Sequence, residues 1–88
     1  MNYIKKKTWP ELFEKVKAGK KRFDVRMADF DIKEGDTLVL EEWDPKTKSY
    51  TGRIITKKVG YVLKFRLNDF GQEEEIKKHG LCVIQLED

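Results

Sequence analysis

One segment, Thr8 to Gly19, carries the start signal, the apolar period and the stop signal of a helix, while other stretches read as strands. Thr8-Trp9-Pro10-Glu11 has the form of a capping box. The Thr8 hydroxyl is placed to accept from an amide of the first turn, and the Glu11 carboxylate to reach back to the cap amide. Pro10 falls in the first turn, where its missing N–H costs nothing. Trp9, Leu12, Phe13 and Val16 follow at i, i+3, i+4 and i+7, one apolar face. Lys15 and Lys17 suit the negative end of the helix dipole, and Gly19 supplies a left-handed stop. The pattern predicts a helix over Trp9–Ala18.

Around that helix the period is two. Asn2 to Lys7 reads as a short strand. In Lys21 to Met27, Phe23, Val25 and Met27 alternate with Arg22, Asp24 and Arg26. This predicts a strand with Phe23 and Val25 facing the core and Asp24 and Arg26 sharing the other face. Residues 28–36 form a loop ending in a Gly-Asp turn, and Thr37 to Trp43 is a strand rich in Leu and Val. Residues 44–52 read as a hairpin loop, opened by Asp44-Pro45 and closed by Gly52. Arg53 to Phe65 reads as a long strand with Gly60 at a bulge or bend, Tyr61 and Phe65 facing the core. A short helical turn falls at Glu73–Lys78, with His79 as a loop residue after it. Leu81 to Leu86 is the last strand, with Cys82, Ile84 and Leu86 on a buried face. Five short strands and one early helix predict a single α+β domain over residues 1–88. Its expected form is a mostly antiparallel five-stranded β-barrel with the helix packed beside it, because closure removes exposed edges.

Apolar residues make up 39% of the 88-residue chain and aromatics 11%, which argues for a folded domain although 40% is charged. The single cysteine, Cys82, excludes an intramolecular disulfide and a Cys-rich zinc site, and fits a reducing cytoplasm. The single histidine, His79, argues against a His-rich metal site. Apolar runs are too short to span a membrane, and no apolar stretch follows the N-terminal lysines as a secretory signal requires. The expectation is a cytoplasmic monomer with no cofactor, no metal and no membrane partner.

Charge is uneven along the chain. Nineteen Lys and Arg oppose sixteen Asp and Glu, but residues 1–26 hold nine cations against Glu11, Glu14 and Asp24, a balance of +6. Either these are solvated lysines, or the first third forms one wall of an anion-binding groove. Gly19-Lys20-Lys21-Arg22-Phe23-Asp24-Val25-Arg26 is the densest candidate. A carboxylate beside a guanidinium fixes the arginine fork and leaves donors free, and a lysine adds a point charge, a set suited to a phosphate or a base edge. The plain alternative is an exposed ion pair, worth about 0–1 kcal/mol. Trp43 and Tyr50 flank the hairpin, and either pack in the core or stack on bases. Arg53 beside Gly52, with Lys20 and Arg22, makes up the secondary candidates. Lys5, Lys6 and Lys7 either contact phosphates or protect a strand edge.

Gly19-x-Lys21-x-x-Asp24-x-Arg26 resembles the G-x-K-x-x-E-x-R signature of ASCH domains, a family of the PUA-like superfamily. Trp9 to Phe13, Lys33 to Pro45 and Tyr50 to Arg53 extend the likeness from about Ile4 to Leu86. The resemblance implies a PUA-like barrel with a cleft beside the helix, RNA as the partner, and Gly19, Lys21, Asp24 and Arg26 as the cleft residues. The family acid is usually Glu, where this chain has Asp24. An ASCH-like amidohydrolase group acting on acylated cytidine carries threonine there. Three functions follow as expectations. The first is an RNA-binding module in which Lys21 and Arg26 hold RNA or a nucleotide and Asp24 orients Arg26 or accepts from a base. The second is a hydrolase of a modified nucleoside or RNA, with Lys21 as the activated group and Asp24 or the Glu73–Glu75 run moving the proton. The third is a protein-interaction domain.

Overall fold

The computed structural model describes residues 2–87. Its frame is a three-stranded sheet in the order β1-β2-β3, formed by β1 (Tyr3–Thr8), β2 (Thr37–Asp44) and β3 (Ser49–Lys58). Strands β1 and β2 are parallel, from Tyr3 opposite Thr37 to Thr8 opposite Glu42. A parallel pair needs a long crossover, and residues 9–36 provide it, including helix α1 (Pro10–Lys17). Strands β2 and β3 form an antiparallel hairpin around the turn at residues 45–48, where the Lys46 amide donates to Asp44 Oδ1 at 2.8 Å.

The sheet is open. The expected five-stranded barrel is not formed, because neither residues 21–27 nor residues 81–86 enter a ladder and the long third strand stops early. Strand β3 ends at Lys58 because its partner ends. Val59 still donates to the Asp36 carbonyl and accepts from the Gly35 amide, but the turn at Glu34–Gly35 carries β2's side of the ladder away. At the other end β3 begins at Ser49, so Tyr50 to Gly52 belong to the strand and not to a hairpin loop.

Residues 21–27 make other bonds in place of a ladder. The Arg22 amide donates to Gln85 Oε1, Lys21 Nζ to the Phe23 carbonyl at 2.7 Å, and the side chains turn on one another. Phe23 and Met27 line a cavity beside Val16, Leu38 and Leu40 and are not packed into the core. Phe23 stays partly exposed, and Val25 and Met27 are open to solvent. The core is Val16 with Leu38 and Leu40, flanked by Ile4, Ile32, Ile55 and Val59. Tyr61, Phe65, Cys82, Ile84 and Leu86 are exposed and not part of it.

The helix is Pro10–Lys17, with Pro10 at its first position and Gly19 left-handed beyond it at φ 76°. Its cap residue is Trp9, not Thr8, and no side chain caps it. Thr8 is held one residue too early by its strand pairing with Glu42, and its hydroxyl accepts from Arg26 Nη2 at 3.1 Å. A 3-10 turn at Leu67–Phe70 and helix α2 (Glu73–His79) complete the described elements, with His79 the last residue of α2.

Candidate functional site

Strand alternation gives the sheet two chemically different faces. Ile4, Lys6 and Thr8 of β1 share the helix side with Leu38, Leu40 and Glu42, while Tyr3, Lys5 and Lys7 point away with Val39, Glu41 and Trp43. A cavity of about 660 Å³ lies on the helix side, floored by Leu38, Leu40 and Val16. Such a volume suits a small organic ligand.

Gly19, Lys21, Asp24 and Arg26 all line this cavity. Gly19 makes the turn out of α1 that sends the chain along the rim. Asp24 organises the cations: Arg26 Nε donates to Oδ2, and Lys21 Nζ lies 3.6 Å from Oδ1. Arg26 Nη2 also reaches Thr8, which ties the rim to the last residue of β1. The arrangement leaves N–H donors on both cations, since Lys21 gives one to the Phe23 carbonyl and Arg26 is held through Nε and Nη2. Asp24 is thereby occupied as an acceptor.

Of the secondary candidates, Arg22 lines the cavity and Lys20 is exposed at the turn after α1. Arg53 is neither a free hairpin arginine nor part of the cavity wall. An irregular bulge sets Thr51, Gly52 and Arg53 against Glu42 alone, between the pairs Glu41–Ile54 and Trp43–Tyr50. Gly52 permits it at φ 95°. Arg53 then grips the Glu42 carboxylate through Nε at 2.8 Å and Nη2 at 2.7 Å, bonds Glu14 at 2.6 Å, and lies over the Phe13 ring. Glu42 is buried, and the side-chain hydrogen bonds from Arg53 and Thr51 hold its pKa down at about 2. The hydrogen bonds to Glu42 and then Glu14 raise the Arg53 pKa. This network fastens α1 to the hairpin.

Trp43 and Tyr50 lie on the opposite face from the cavity, with Lys7 Nζ over both rings. The Glu73–Glu75 run, in α2, does not line the cavity, and among the described residues Asp24 is the sole carboxylate in its wall. Sequence reasoning missed Lys57, Lys58 and Lys64, which line the same cavity, and Phe30 and Tyr61 with them. Their only signal was the basic tail of a strand. Among the described residues no group of His, Cys, Asp or Glu could hold a metal ion, and no helix is long and apolar enough to cross a membrane.

These features define a small α+β domain with a cationic cavity against one face of an open sheet. A family model described as a domain of unknown function (DUF3850) matches residues 4–85, and the chain belongs to that family. No curated protein and no solved structure matches it.

Proposed function

We propose that this protein is a cytoplasmic, monomeric RNA-binding module akin to ASCH domains in the PUA-like superfamily, holding RNA or a nucleotide in the cavity beside α1. The observation that carries this reading is the charge of the cavity wall. Among the described residues Lys21, Arg22, Arg26, Lys57, Lys58 and Lys64 line it, with Asp24 as the one carboxylate. Six cations against one carboxylate favour a ligand with several negative charges, and Phe23, Phe30 and Tyr61 offer apolar rings for a base. In this reading Arg26 and Lys21 take the phosphate or base edge, and Asp24 sets the Arg26 fork.

The hydrolase alternative has less support. Catalysis by Lys21 needs a base within hydrogen-bond reach. Asp24 already accepts from Arg26, and Glu73–Glu75 lies outside the cavity wall. A protein-interaction role has no specific observation in its favour.

Titration of short single-stranded RNA and of nucleotides tests the reading. Arg26→Ala and Lys21→Ala should each weaken binding by roughly 1–3 kcal/mol, and Lys21→Ala should lower the salt slope if its contact is to phosphate. Lys78→Ala, on exposed α2, is the control. Equal losses at all three positions would replace the cavity with a diffuse electrostatic film. Multiple-turnover product release from an acylated cytidine or an RNA, abolished by Lys21→Ala, would move the protein to the hydrolases.

A further inference from the structure

The second face of the sheet has no helix on it. Register places Lys5, Lys7, Val39, Glu41, Trp43, Tyr50 and Ile54 there together. Helix α1 packs on the other side, and on this face Tyr3 is 76% exposed, Tyr50 53% and Ile54 59%, while Trp43 is half-buried and Val39 buried. Val39 lies between Lys5 and Thr56 in the middle of this face. Lys7 Nζ sits 4.6 Å from the Trp43 ring centroid and 5.8 Å from that of Tyr50. Trp43 and Tyr50 are directly paired across the hairpin, so their rings stand side by side next to a cation. The adjoining turn adds Lys46 and Lys48.

We infer that this face is a second nucleic-acid contact surface, separate from the cavity, which takes single-stranded nucleic acid by stacking on Tyr50 beside Trp43. Unpaired bases present the flat apolar surfaces that exposed rings bind, and the phosphates between them meet lysines. Tyr3 lies about 13 Å from Lys7 along β1, so the face offers ring and charge at both ends of a short track. A duplex hides its base faces and cannot use the rings. An anionic partner fits the charge, since Lys5, Lys7, Lys46 and Lys48 outnumber Glu41 and Asp44 here. The inference stands on the exposed sheet face and does not need the cavity to bind.

Trp43 supplies its own reporter. In a Trp9→Phe background it is the only tryptophan, and titration with short single-stranded RNA, or DNA of the same sequence, should quench its emission. Duplex of equal length should quench it less. Tyr50→Ala should weaken single-strand binding by about five- to a hundredfold. Lys5→Gln should lower the salt slope by about 0.7. Circular dichroism establishes that these exposed-residue variants keep their fold. Unchanged Trp43 emission at saturating single strand, or a Tyr50→Ala affinity equal to the parent's, overturns the proposal, as does the absence of any single-strand binding. Losses at Arg26 and Lys21 with none at Tyr50 leave the cavity reading standing and remove this one. Losses at Tyr50 with none at Arg26 do the reverse.

Discussion

Residues 3–59 and residues 60–87 both carry strand-like alternation, yet they end in different states. Among the described residues every buried side chain lies between Thr8 and Glu42. In the later region Leu63, Phe65, Leu81, Ile84 and Leu86 all remain exposed, and α2 makes its principal contacts with the preceding 3-10 turn. Alternation says which side chains would share a face. A strand also needs a neighbour for its amides and a cover for its apolar side. Strand β2 has both, with β1 and β3 on its edges and α1 above Leu38 and Leu40. Residues 61–66 and 81–87 have neither a ladder nor a covered face.

The largest effect that separates the two regions is packing. Phe13 is 1% exposed, so Phe13→Ala should cost about 3–5 kcal/mol in denaturant melts. Phe65, 43% exposed with its ring edge-on to Phe70, should cost less than about 1 kcal/mol on the same change. Comparable losses at the two positions would mean that the later region is packed into the core, and the contrast would collapse.

Legibility in the sequence divides along the same line. Helix α1, β1, β2 and the start of α2 were readable because cap, period and turn signals are local. Proline at the first helical position and Gly19 beyond the last are examples. The closed barrel was not readable, because closure depends on which distant segments find an edge, and no local pattern carries that. The Thr8 cap was misread by one residue, since sequence spacing cannot show that β pairing claims Thr8 first. At the candidate site, the order Gly19 to Arg26 pointed to part of the cavity lining. Lys57, Lys58 and Lys64 come from a region whose strand ended earlier than its alternation suggested. The Glu42–Arg53 pair did have a signal. Leu38, Leu40 and Glu42 sit at i, i+2 and i+4, so a charge falls on an apolar face and demands a partner.

A middle-sized effect concerns pH. The Glu42 carboxylate, held by Arg53 and Thr51, has its pKa lowered from about 4.5 to about 2. A lowered carboxylate contributes stability above its unfolded value and loses it as pH falls through the folded one. Denaturant midpoints should therefore hold down to about pH 4.5 and fall from there toward pH 2. Asp36 adds to the same trend, its pKa lowered chiefly by the Asn2 amide and also by that of Lys33. Glu42→Gln should lower the midpoint at neutral pH and flatten part of the acid limb. An unchanged acid limb would show that the bulge network does not fasten α1 to the hairpin.

The smallest effect tests the segment between the two regions. Residues 21–27 join no ladder, yet the Arg26 guanidinium reaches Thr8 at the end of β1. Their attachment to the sheet is thus made here by a side chain and not by backbone pairing. A double-mutant cycle with Thr8→Val and Arg26→Ala isolates it, because valine keeps the volume and removes the acceptor. The coupling should be about 0.5–1.5 kcal/mol, the net worth of one hydrogen bond. If Thr8 instead capped α1, Thr8→Val would cost about 1 kcal/mol whether or not Arg26 were present, and the coupling would vanish. A coupling near zero would therefore cut the rim of the cavity loose from the sheet. A coupling in the expected range would show that the segment bearing Lys21, Asp24 and Arg26 is positioned by the well-packed region, although it contributes no strand to it.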